Sequence, residues 1–135
     1  MRDIPWVRVA TTLAGFMVPI ELLQAADPCK DPMTGPESVA CSASRAKVEN
    51  NDLNKTYAEL RSVLKKRLDA QSQDLEKSMA TAQKDWLKFR GSHCAVDATY
   101  EGAGGSLVSA KLGECEANET RKRTKYLKTI LDYLR

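Results

Sequence analysis

The residues of this chain best suited to chemistry are four cysteines, Cys29, Cys41, Cys94 and Cys115, and a single histidine, His93. Zinc sites draw on closely spaced pairs such as C-x₂-C, and no two of these cysteines lie that close. One histidine in the whole chain excludes a His-rich metal centre and most relays built on imidazole. An even set of cysteines in an oxidising compartment forms a disulfide framework. With all four paired, none remains as a catalytic thiol. The chain contains no G-x-S-x-G, no P-loop and no H-E-x-x-H. Its Gly102 to Ser106 stretch does not follow a strand, so a dinucleotide site is not expected. Paired carboxylates occur only as ordinary helix-surface charges. The expectation is a protein that is not an enzyme, holds no cofactor or metal, and works by binding a partner.

The compartment follows from the first residues. Arg2 and Arg8 form a short basic region. Val9 to Ile20 is an apolar run, and Ala25 and Ala26 supply small residues for a peptidase. This is the pattern of a secretory signal peptide, expected over residues 1–26 with cleavage after Ala25 or Ala26. The apolar run is shorter than the roughly 20 residues that span a bilayer. Cys29 lies too far on to serve as a lipid-bearing residue. Residues 27–135 then form a single domain, periplasmic or secreted. The 135 residues carry a formal charge of only +3, too little to indicate nucleic acid.

The elements that must position the cysteines read as helices. Residues 27–38 hold Pro28, Pro32, Gly35 and Pro36 and form an irregular arm, with Ser38 as a cap. From Val39 to about Asp69, Leu53, Tyr57, Leu60, Leu64 and Leu68 recur at helical spacing. A turn is expected over Ala70 to Asp74. Leu75, Met79, Ala82, Trp86, Phe89 and His93 mark a second helix. A long loop is expected over residues 97–113, and a third helix from about Leu112 to Leu134 presents Leu127, Ile130, Leu131 and Leu134. No stretch alternates long enough for a strand. The fold class is all-α, an antiparallel three-helix bundle with a Pro-rich arm. Cys41, Cys94 and Cys115 then fall at one end, within reach of Cys29. Topology leaves all three connectivities open, and proximity along the chain favours Cys29–Cys41 with Cys94–Cys115.

Three strings carry a family resemblance: Leu53-Asn54-x-x-Tyr57-x-x-Leu60; Ala82-Gln83-x-x-Trp86-x-x-Phe89-Arg90-x-x-x-Cys94; and Gly104-Gly105-Ser106, then Cys115, then Thr120-x-x-Arg123-x-x-x-Leu127. Over roughly residues 38–131 the chain resembles the LprI-type lysozyme inhibitor domain, a family of small exported bacterial helical proteins. Gly91 stands where that family usually has Asp after the Arg. The resemblance implies a protein partner, a lysozyme.

Trp86 and Phe89 are expected in the core. Arg90 is expected over the Trp86 ring as a cation–π pair, its head on carbonyls at the helix end. Arg123 is expected to anchor the third helix to the Cys-rich end, and His93 to be structural. A glycosidase cleft holds two carboxylates at its base, and a constrained loop that entered it would occlude it. The candidate is residues 96–114, with His93, Glu101, Gly104, Gly105, Ser106 and Lys111 as contact residues. Residues 27–44 and 95–115 are net acidic, while the first and third helices are net basic. The Cys-rich end is therefore the one suited to a basic enzyme. The alternative is a periplasmic helical adaptor whose basic faces meet anionic envelope polymers or another protein.

Overall fold

The structure, a computed structural model, describes residues 29–32, 34–101 and 104–135. The expected signal peptide and its cleavage site lie outside the described residues. Three helices follow one another: α1 (Gly35–Lys66), α2 (Ala70–Glu101) and α3 (Ser106–Leu134). None is long and apolar enough to cross a membrane.

Local chemistry sets the helix ends. α1 starts earlier than expected, because Thr34 rather than Ser38 is the cap. The Glu37 amide donates to Thr34 Oγ1 at 3.4 Å and the Thr34 amide to Glu37 Oε2 at 3.0 Å, a reciprocal capping box. Pro36 suits the first turn, where its missing N–H costs no helical bond. α1 stops at Lys66 and Arg67 turns extended. Leu68, expected on the apolar face, therefore lies outside the helix, 88% exposed. The expected turn over Ala70 to Asp74 is the first turn of α2. The Asp69 carboxylate accepts from the Ser72 amide and hydroxyl, both at 2.8 Å, and so caps that helix.

The largest correction concerns the expected loop. α2 continues to Glu101 and α3 begins at Ser106, so residues 97–101 and 106–113 are helical. Gly113 lies inside α3, while Gly104 and Gly105 belong to a short elbow between the two helices. Gly104 and Gly105 have φ of 98° and 60°, which glycine adopts without strain.

α1 and α3 run parallel, and α2 runs antiparallel between them in sequence. The α1–α3 interface is the most extensive and α1–α2 the least. Arg121 with Glu49 at 2.8 Å, Lys128 with Asp52 at 2.9 Å, and Arg135 with Glu59 hold α1 and α3 in register. The core changes character along the bundle. Away from the cysteines it is made of Leu53, Leu60, Leu64, Met79, Leu127 and Leu131. At the Cys-rich end the buried residues are small: Cys41, Ser42, Ala46, Cys94, Ala98 and Ala117. There α3 approaches α1 closely. A β-carbon on Gly113 would stand 2.7 Å from Ser42 Oγ and 3.2 Å from Ser42 backbone carbon, and one on Gly35 would collide with Ser106 Oγ.

Both favoured disulfides are present. Cys29–Cys41 has Cα atoms 4.6 Å apart and Cys94–Cys115 has them 5.5 Å apart, ordinary spans for a disulfide. The first pins the arm to α1. The second joins α2 to α3 just behind the elbow.

Candidate functional site

The resemblance residues meet at mid-bundle. Arg90 Nη1 of α2 donates to Asn50 Oδ1 of α1 at 2.7 Å and to Thr120 Oγ1 of α3 at 2.6 Å. One guanidinium thus ties all three helices together. Arg123 of α3 donates to Gln83 Oε1 of α2 at 3.0 Å. Both guanidiniums lie over the half-buried Trp86 ring, 5.2 and 5.8 Å from its centroid. Among the described residues neither is paired with a carboxylate. Burial lowers the Arg123 pKa from its ordinary value. Among the described residues Arg90 Nε and Arg123 Nη2 are buried without a hydrogen-bond acceptor; the Trp86 π face compensates both cations, and the Tyr126 ring, 5.3 Å from the Arg123 guanidinium, compensates Arg123 as well.

The cation–π pairing of Arg90 is as expected, but two details are corrected. The Arg90 head rests on Asn50 and Thr120 side chains rather than on helix-end carbonyls. Arg123 clasps Gln83 and Trp86 instead of the Cys-rich end. Leu53, Leu60 and Leu127 are buried and Tyr57 is partly so, whereas Asn54 is exposed. Phe89, expected in the core, is 52% exposed.

Phe89 belongs instead to a surface stripe. Its ring stacks on His93, with centroids 5.1 Å apart and planes 8° from parallel. Val96 and Tyr100 continue the same face of α2 toward the elbow, Tyr100 being 91% exposed. His93 Nε2 lies 3.5 Å from Asp97, which joins the stripe to a cleft of about 240 Å³ between α2 and α3. Asp97, Glu101, Glu114 and Glu119 line it against only Lys111 and Lys122. Lys111 Nζ stands 3.6 Å from Glu101 and 3.7 Å from Glu114. Lys122 is held by Glu119 at 2.7 Å.

The expected contact residues are therefore partly brought together. Glu101 and Lys111 share the cleft. Gly104 and Gly105 form the elbow. The Ser106 hydroxyl is turned over Gly35, and His93 lies along the stripe. Val96, Asp97 and Tyr100 fall within the expected contact segment 96–114, but as part of a loop; sequence reasoning missed that they continue the helical face of Phe89 and His93. It also missed Asn50, a polar residue at the junction of three helices. His93, Asp97 and Cys115 approach one another closely enough to suggest a metal, but the Cys115 sulfur is bonded to Cys94. A disulfide sulfur is not the thiolate ligand a metal takes.

Comparison with known proteins agrees with this architecture. A Rhizobium meliloti protein described as uncharacterized is 27% identical over 120 residues, covering 84% of this chain and 86% of the relative. The crystal structure of a DUF1311 family protein from Pseudomonas putida superposes with a TM-score of 0.62 at 24% identity, covering 72% of this chain and 93% of that one. That likeness shows the same fold. The family model described as lysozyme inhibitor LprI matches residues 29–127, a span that takes in both disulfides, the Trp86 clasp and the acidic cleft. The chain belongs to the LprI lysozyme inhibitor family.

Proposed function

We propose that this protein is exported, with residues 1–26 removed, and inhibits a lysozyme by docking its disulfide-stapled α2–α3 elbow over the enzyme's cleft. The observation that carries this reading is the acidic cleft beside the exposed Tyr100. Many lysozymes are strongly basic, and opposite potentials speed encounter and set orientation. Tyr100 and Phe89 offer the kind of exposed aromatic anchor that dominates protein interfaces. The Cys94–Cys115 bond ties the two helices together before contact, which lowers the ordering cost of binding. Lys111, already between two carboxylates, is the cation placed to meet the acids of a glycosidase cleft.

The test is a lysis assay of the purified protein against basic lysozymes of different structural classes, with a sizing column to detect the complex. Inhibition with a stoichiometric complex is the expected result. Inhibition without a complex would point to an indirect effect. Neither inhibition nor complex with any class would reject the proposal in favour of an adaptor role.

A further inference from the structure

The end of the bundle farthest from the disulfides has no part in that reading and is built differently. α1 ends in Lys65 and Lys66, followed by Arg67 and Leu68 in the connection to α2. Arg67 donates to the Leu134 carbonyl at the end of α3, which brings the C-terminal turns of α1 and α3 side by side. Two large apolar residues stand out here into solvent: Leu68, 88% exposed, and Tyr133, 89% exposed. Both lysines are exposed, and among the described residues neither makes an ion pair or hydrogen bond. The acid nearest in sequence, Asp69, has its carboxylate turned onto Ser72. Asp132 lies beside Arg135.

From this end we infer a second binding site, one that takes the surface of a bilayer containing anionic phospholipid. Charge complementarity selects a negative partner for Lys65 and Lys66. A soluble polyanion would satisfy the lysines and leave Leu68 and Tyr133 in water. A headgroup layer accommodates both: the leucine reaches the acyl boundary, the tyrosine sits with its hydroxyl among the headgroups, and the lysine stems extend along the apolar region with their ammonium groups on phosphate. With its basic end on the membrane, the molecule presents its acidic elbow outward. The inference rests on this end alone and stands whether or not the elbow binds a lysozyme.

Hydrogen exchange on the full chain tests it at the site itself. With vesicles of equal parts phosphatidylglycerol and phosphatidylcholine, amides of residues 64–74 and 130–135 should gain protection. Pure phosphatidylcholine vesicles should give none. Lys65→Gln with Lys66→Gln should raise the lipid needed for half-protection about tenfold to thirtyfold, and Leu68→Ser should weaken it as well. All three residues are exposed, and an unchanged thermal midpoint verifies that the variants fold. Equal protection by neutral vesicles, or anionic vesicles that leave these amides unprotected, would overturn the inference. So would soluble polyphosphate that protects them equally in the parent and in Leu68→Ser, which would identify a polyanion site.

Discussion

Gly113 lies against Ser42 so closely that a β-carbon on it would stand 3.0 Å from the Ser42 β-carbon. The parallel pair α1 and α3 depends on that missing atom. Gly91, also inside a helix, has nothing within 4 Å of the same position.

The two glycines should therefore respond oppositely to alanine. Alanine is the better helix former by about 1 kcal/mol. Gly91→Ala should gain about 0.5–1 kcal/mol of stability. Gly113→Ala meets the Ser42 backbone as well as its side chain, so overpacking should outweigh propensity and cost about 1–2 kcal/mol net. Urea midpoints that shift in the same direction for both variants would refute the close approach of α3 to α1.

Trp86 should be worth less than a fully buried tryptophan but more than its area suggests. Removing it leaves Arg90 Nε and Arg123 Nη2 facing a void. Trp86→Ala should cost about 2–4 kcal/mol, near the lower part of the range for large-to-small core changes. Arg90→Leu should cost about 1–3 kcal/mol, because Asn50 and Thr120 lose a charged donor. Midpoints barely moved by both changes would show that the clasp is not formed in solution.

Loss of the Cys94–Cys115 bond should destabilise the chain by about 3 kcal/mol in the loop-entropy account, with helical content retained. The double replacement by serine, compared with the parent by thermal melting followed by circular dichroism, measures this. If the inhibitory reading holds, the same variant should also dissociate faster from its enzyme.

Asp69 gives a pH signature. Hydrogen bonds from the Ser72 amide, and then its hydroxyl, hold the carboxyl below its ordinary value of 3.8. A depressed folded pKa contributes stability above the unfolded pKa, and that contribution is lost as pH falls through the folded value. The stability gap between the parent and Asp69→Ala should therefore be constant from neutrality to about pH 5. It should shrink below the unfolded value. A gap that widened on acidification would contradict the cap.

Phe89→Ala with Tyr100→Ala should leave stability within about 0.5 kcal/mol of the parent, since both side chains are largely exposed. The same pair should weaken a lysozyme complex on titration calorimetry at least tenfold. Unchanged affinity would move the contact off the α2 stripe.

Much of the bundle was legible in the residues. The steps from Leu53 through Leu64 and from Leu127 to Leu134 define faces that the structure buries or half-buries. Helices that must alternate direction brought the cysteines to one end. What was hidden has physical causes. The buried line of α2 runs through Met79, Gln83, Cys94 and Ala98, and at 3.6 residues per turn Phe89 falls roughly 120° away from it, past a Trp86 that already sits at its edge. The elbow glycines spread an impression of loop over their neighbours, yet Ala98 buries its small side chain at the seam and favours helix. The clasp uses Asn50, Gln83 and Thr120, polar residues that a search for apolar periodicity passes over. Gln83 and Thr120 surfaced only through the family resemblance.

The parallel pairing of the first and last helices also shapes how the chain folds. The ion pairs between them join residues as many as 76 positions apart. Their interface cannot form until α3 exists, and by then α1 and α2 have long been synthesised. Contacts of such separation slow folding relative to bundles built from neighbours. Until α3 arrives, Leu53, Leu60 and Leu64 lack their principal cover. In that interval the nascent chain is exposed to aggregation, and escorts that shield apolar surface should matter most before the last thirty or so residues emerge.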